Sequence, residues 1–192
     1  MQVEACDNFI KQTYRNRCVI AAANGLQALT VPVERTADGN MDANGAQPGK
    51  CLMKDIRISD HGNWRHLHWN ALTSAYGESP FFEFYADDIR PFFERKWTFL
   101  YDFNAEICAK MCELIGLEPA IEPTTEYLPA DSPALAGIHD YRDAIRPKHP
   151  AEDVTFTPRR YYQVYERKYG FSPNLSILDL LFNMGNESLL YL

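Results

Sequence analysis

Apolar residues change period along this chain, and the change separates a strand-like first third from a helical remainder. Residues 18–23 form an apolar run, Asn24-Gly25 is a short hairpin signal, and residues 26–33 alternate with β-branched side chains until Pro32 limits the strand to an edge or an end. A β-hairpin is predicted there. Ahead of it, residues 1–5 read as the tail of a strand, because only Val3 and Ala5 offer an apolar alternation before Asp7-Asn8. Residues 51–59 resume a strand period, with Ile56 and Ile58 on one face and Asp55, Arg57 and Ser59 on the other. Between these segments, residues 36–50 are rich in Gly, Asn, Asp and Pro without an apolar period, which predicts a surface loop.

From Trp64 the spacing becomes helical. Asn63 is a candidate N-cap for a helix over Trp64–Tyr76, with Trp64, Leu67, Ala71, Leu72 and Ala75 on one face and Gly77 as its stop. Ser79-Pro80 opens a helical turn through Tyr85, and a short helix from Ala86 turns Ile89, Phe92 and Phe93 inward. Residues 100–115 carry Phe103, Ile107, Met111 and Leu114 at spacings of three and four, closed by Gly116. A long Pro-rich stretch, 118–158, has little hydrophobic period, as expected of a functional or disordered loop. Helix returns at 161–169, ended by Gly170. Asn174 or Ser176 caps a last helix over Ile177–Met184, Gly185 follows, and residues 188–192 read as a short docked strand. No internal repeat is visible. The order of elements predicts an α+β fold in one domain spanning 1–192, a small, mostly antiparallel N-terminal sheet packed against a helical C-terminal part.

Composition narrows the functions without choosing one. With 192 residues, 46% of them apolar, the chain buries a substantial core. It holds no run of about 18 apolar residues, and its first residues lack the basic and apolar regions of a signal peptide, so no membrane insertion and a cytoplasmic location are expected. Five cysteines at irregular spacing suit buried thiols in a reducing compartment. A net charge of −7 argues against general affinity for nucleic acid or anionic membrane. Gly-x-Gly-x-x-Gly, Walker, Gly-x-Ser-x-Gly and His-Glu-x-x-His sequences are all absent, which removes the common dinucleotide, P-loop, serine hydrolase and zincin readings.

Two short windows concentrate the remaining chemistry. Lys11, Gln12, Tyr14, Arg15, Asn16 and Arg17 supply many donors with almost no local carboxylate, and guanidinium forks match phosphate or carboxylate oxygens in pairs. On a strand Arg15 and Arg17 share a face, and the competing reading is a solvated edge. The second window holds His61, His66 and His68 between Trp64 and Trp69. His66 and His68 lie about 200° apart on a helix, so both cannot face one ligand. A single imidazole acting as a base is favoured over a metal set of Asp60, His61 and His66, because zinc sites on helices use i,i+3 or i,i+4 spacing. Cys108 and Cys112 share a helix face, and without further ligands they read as core, so no metal site is expected.

Lys-Gln-Thr-Tyr-Arg-Asn-Arg at 11–17, Leu-Thr-Val-Pro-Val at 29–33, Asp-Ile-Arg-Ile at 55–58, Trp64-Arg65 with His68-Trp69, Ala-Tyr-Gly-x-Ser-Pro-Phe-Phe-Glu at 75–83 and Ser-Ile-Leu-Asp-Leu-Leu-Phe-Asn-Met-Gly at 176–185 together resemble the WbqC-like family over nearly the whole chain. The resemblance implies a transferase of bacterial O-antigen and polysaccharide biosynthesis that moves glycine or another acyl group onto a nucleotide-linked amino sugar. Its alternative is a non-catalytic binding or assembly protein of such a pathway. It names no cofactor. It carries the proton-accepting role to His68 and ligand binding to Gln12, Tyr14, Arg15, Asn16, Arg17, Tyr76 and Asn183, with Lys11 beside them. Members of that family open with an apolar strand ahead of the Glu-Ala-Cys-Asp segment, so a βα unit is expected to be missing before residue 1.

Overall fold

The computed structural model describes residues 1–34, 51–142, 145 and 157–192; the loop expected at 36–50 and part of the stretch 118–158 lie outside the described residues. Helices and a few short strands give an α+β fold. Strand β1 (Gln2–Val3) is followed by the hairpin β2 (Arg17–Ala22) and β3 (Gly25–Thr30), in which Arg17 pairs with Thr30 and Ala22 with Gly25. The predicted hairpin forms one residue out of place. Ala23 and Asn24 make its loop, and Gly25, at φ +107°, supplies the left-handed backbone that a side chain resists.

β1 pairs in parallel with β4 (Glu122–Pro123), so the described strands form two separate pairs, one antiparallel and one parallel, where a single mostly antiparallel sheet was expected. β4 lies in the Pro-rich stretch, whose exposed, aperiodic residues give no strand signal. The expected strand at 51–59 is reduced to isolated bridges, Leu52 with Asn8, Ile58 with Val33 and Arg57 with Phe99, around a 3-10 turn at Met53–Asp55. Its alternation survives, with Ile56 and Ile58 buried and Arg57 outside.

Helix α1 (Trp64–Tyr76) has the predicted limits and buries Trp64, His68, Leu72, Ala75 and Tyr76, while Leu67 faces solvent; Asn63 precedes it without a side-chain cap. α2 (Phe82–Ile89) joins the two turns predicted separately and continues into a 3-10 turn, Arg90–Phe93, that places Phe92 and Phe93 inside. α3 (Leu100–Leu114) follows its pattern. Only the end of the helix expected at 161–169 is helical, as α4 (Glu166–Tyr169). α5 (Ile177–Met184) is capped by Ser176, whose hydroxyl accepts from the Leu178 N–H at 3.4 Å.

The strand expected at 188–192 is instead a 3-10 run, Gly185–Tyr191. Ser188 is buried and its hydroxyl donates to the Gly185 carbonyl at 2.6 Å, which coils the segment back on α5. Gly185 sits at φ +57°, and a Cβ there would meet the Phe81 ring at 2.7 Å. Gly185→Ala is expected to cost about 2 kcal/mol in urea unfolding, from backbone strain and the displaced ring. A loss below about 0.5 kcal/mol would show that the turn relaxes. The core joins Ile20 and Leu29 of the hairpin to Leu72 and Tyr76 of α1, Ile89, Leu100 and Phe103, and Leu181 and Phe182 of α5. Phe182 seats against Phe82 and Tyr76, with ring centroids 5.0 and 5.2 Å away.

Candidate functional site

A cleft of about 260 Å³ opens between the hairpin, α1, α3 and the start of α5. The hairpin contributes Arg17, Cys18, Leu29 and Val31, preceded by Tyr14 and Asn16; α1 contributes His68; Phe103, Asn104, Ile107, Cys108 and Met111 form a helical stripe on α3; Ser176 starts α5. Most of the lining is apolar. Of the residues singled out in the sequence, Tyr14, Asn16, Arg17 and His68 meet here.

Thr30 is the joint between the two sequence windows. Cross-strand pairing puts it opposite Arg17, whose Nε donates to the Thr30 hydroxyl at 3.0 Å. The Thr30 backbone also acts on His68. Burial against Trp64 and Phe93, whose ring centroids lie 5.1 and 6.2 Å from the imidazole, disfavours the charged form more than the Thr30 backbone favours it, and the His68 pKa falls to about 4. His68 is therefore neutral at pH 7, with its proton-accepting form fully populated. Asn16 is 8% exposed; its amide N–H donates to the Val31 carbonyl at 2.9 Å, leaving Oδ1 buried without a partner among the described residues. Flipping the amide would oppose two acceptors at Val31, so the oxygen remains the unpaired atom. Asn104 fixes the facing wall, donating from Nδ2 to the Arg15 carbonyl at 2.7 Å.

The other members of the basic window are not in the cleft lining. Lys11 and Gln12 are exposed, with Gln12 at φ +61°. Arg15 pairs with Asp7 at 2.7 Å, both side chains being 21% exposed. The shared face expected of Arg15 and Arg17 does not form, because the strand begins at Arg17 and the alternation rule has no ladder before it. Arg15→Ala is expected to cost about 1–2 kcal/mol in chemical denaturation, and Arg17→Ala about half as much. The reverse order would mean that Arg17 holds the fold.

Tyr76 and Asn183 meet elsewhere, around a buried carboxylate that sequence reasoning did not single out. Asp179, 1% exposed, accepts from the Tyr76 hydroxyl at 2.7 Å, the Tyr161 hydroxyl at 2.8 Å and Gln163 Nε2 at 3.2 Å. Tyr76 in turn accepts the Ala21 N–H at 3.2 Å, and Asn183 Nδ2 donates to the Asp179 carbonyl at 2.7 Å. Burial raises the Asp179 carboxyl above its ordinary range, against its four hydrogen-bonding neighbours, and burial with the nearby carboxylate pushes both Tyr76 and Tyr161 up. Both hydroxyls stay protonated and donate.

The alternative imidazole set is not assembled. Asp60 is engaged by Arg65 at 2.7 Å and Lys96 at 3.0 Å, which hold its carboxyl below the usual range; His61 is exposed, and His66 Nε2 lies 2.9 Å from Asn70 Nδ2 on the outer face of α1. Among the described residues no group of three or more His, Cys, Asp or Glu side chains is placed to hold a metal. Cys108, expected in the core, is exposed at the cleft's edge, and burial followed by neighbouring Cys112 raises its thiol pKa. Among the described residues no helix is long and apolar enough to cross a membrane.

The fold is α+β, and its cleft is mostly apolar with a few polar groups in the lining. The chain belongs to the WbqC-like protein family, which it matches over residues 3–146. A Mycobacterium tuberculosis protein described as "Uncharacterized protein Rv1507c" is 28% identical over 205 residues, covering 96% of this chain and 83% of that protein. No solved structure matches the chain.

Proposed function

We propose that this protein is an acyl or aminoacyl transferase of bacterial surface polysaccharide biosynthesis, acting on the amine of a nucleotide-linked amino sugar. The observation that carries the reading is the convergence of Arg17, Asn16 and neutral His68 on one cleft, with Asn16 Oδ1 buried and unpartnered. In the reaction, the sugar amine attacks the carbonyl carbon of a thioester. The C–N bond forms, the C–S bond breaks, and the proton from nitrogen passes by way of His68 to the departing thiolate. Asn16 Oδ1 accepts an amine N–H, and Arg17 stabilises the oxyanion. A weakly basic imidazole serves best late in the sequence, when nitrogen in the tetrahedral intermediate is cationic and acidic. In this reading the acyl group arrives already activated, as the thioester.

Purified protein supplied with nucleotide-linked amino sugars and acyl thioesters should give a product heavier by one acyl group. His68→Gln should lower turnover about 100-fold while leaving sugar-nucleotide affinity within about twofold. Retained turnover removes His68 from the mechanism. The burial that depresses His68's basicity favours a second reading, a binding protein of the same pathway. Saturable sugar-nucleotide binding with no product from any donor would select it.

A further inference from the structure

The cleft also bears on which acyl group is carried, a question that rests on the transferase reading. Among the described residues its lining contains no aspartate or glutamate, so a glycyl ammonium placed there would be stripped of water without a counter-charge from them. Instead, one face of α3 runs from Phe103 through Ile107 to Met111, about 12 Å along the helix axis, with Leu29 of β3 and Val31 just beyond it also in the lining. Asn16 and Arg17 are tied to one end of that stripe through Asn104. Asn104 lies near its N-terminal end and is tied to the Arg15 carbonyl, one residue from Asn16 and two from Arg17. Met111 lies two helical turns further on.

We infer that the cleft takes an unbranched apolar acyl chain in preference to glycyl, its carbonyl held by Arg17, the amide nitrogen it acquires facing Asn16 Oδ1, and its tail lying along α3 towards Met111. An apolar cavity of about 150 Å³ accommodates benzene; at about 260 Å³, this one has room for a chain of roughly six to eight carbons. The unpartnered Asn16 oxygen is an acceptor, which suits an amide N–H. An ionised fatty carboxylate, which has no donor, would leave it unpaired.

Chemical-shift titration of the full chain with acetamide, butanamide, hexanamide and glycinamide keeps the amide constant while the tail varies. Affinity should rise about fourfold per methylene, so that hexanamide, four methylenes longer, binds about 250-fold more tightly than acetamide and glycinamide binds no better than acetamide. Ile107→Trp, which fills the middle of the stripe, should abolish the advantage of hexanamide. Arg17→Gln, on the cleft wall outside the core, should weaken all four amides alike and leave the dependence on length intact. Affinity independent of tail length, or glycinamide binding as tightly as hexanamide, overturns the inference.

Transfer assays separate this inference from the reading beneath it. A steep length dependence without transfer from hexanoyl thioester would sustain the apolar site while removing the transferase. Transfer from glycyl thioester in preference to hexanoyl thioester would do the opposite.

Discussion

Asp179→Ala is expected to lower the unfolding free energy by about 3–5 kcal/mol, because it leaves the buried Tyr76 hydroxyl and the half-buried Tyr161 hydroxyl without their acceptor and Gln163 Nε2 with the Ser172 carbonyl alone, at about 1–3 kcal/mol for each lost bond. The loss is smaller than the sum, since the carboxylate itself is costly to bury without a cation, as its raised pKa records. Its place in the first turn of α5 offsets part of that cost, because the helix N-terminus favours negative charge. Asp179→Asn keeps an acceptor for at least one hydroxyl and should cost about 1 kcal/mol. Urea unfolding followed by circular dichroism at pH 7 distinguishes the two variants. Equal losses would mean that the donors find other partners once the charge is gone.

Lowering the pH from 7 to 4.5 is expected to remove about 2.4 kcal/mol through His68, because each tenfold loss of proton affinity on folding is worth about 1.4 kcal/mol. Its folded pKa of about 4 lies below the ordinary 6.5, so the unfolded chain takes up the proton first. The stability is fully present above about pH 6.5 and is lost as the pH falls from there towards 4. Asp179 acts in the opposite sense. With a folded pKa raised above 3.8, it contributes most below the unfolded pKa and loses that contribution as pH rises through the folded one, which blunts the acid loss. His68→Gln should flatten the slope between pH 6.5 and 4.5 whatever it does to stability at pH 7. An unchanged slope in that variant would assign the acid sensitivity to other groups.

Much of the architecture could be read in advance where local signals and tertiary packing agree. α1, α3 and α5 have apolar residues at helical spacing, and Ser176 and Gly185 mark the two ends of α5. Local signals mislead where long-range polar contacts override them. Residues 161–165 look helical, yet Tyr161 reaches Asp179, and the Gln163 amide clasps the Ser172 backbone through two hydrogen bonds of 2.9 Å. Those contacts hold the chain open until Glu166.

The cleft was legible in part. Asn16, Arg17 and His68 stood out by residue type and by family resemblance, whereas Thr30 and Asn104, which align the walls, carry no distinguishing local pattern. Asp179 read as one polar position within an apolar helix. Only its surroundings reveal that two tyrosines converge on it.

The parallel pairing of β1 with β4 bears on how the chain assembles. The Met1 ammonium donates to the Ala120 carbonyl at 2.6 Å, and the Ala5 N–H donates to the Thr124 hydroxyl at 3.1 Å, both across 119 residues of sequence. Closing so large a loop costs entropy before any contact compensates, whereas the hairpin closes across two residues. During synthesis the hairpin can close as soon as it emerges, β1 waits for residue 124, and the core around Tyr76 waits for Phe182. β1 is thus fastened after the hairpin, and amide exchange at Val3 and Ala5 should report that docking separately from exchange within the hairpin.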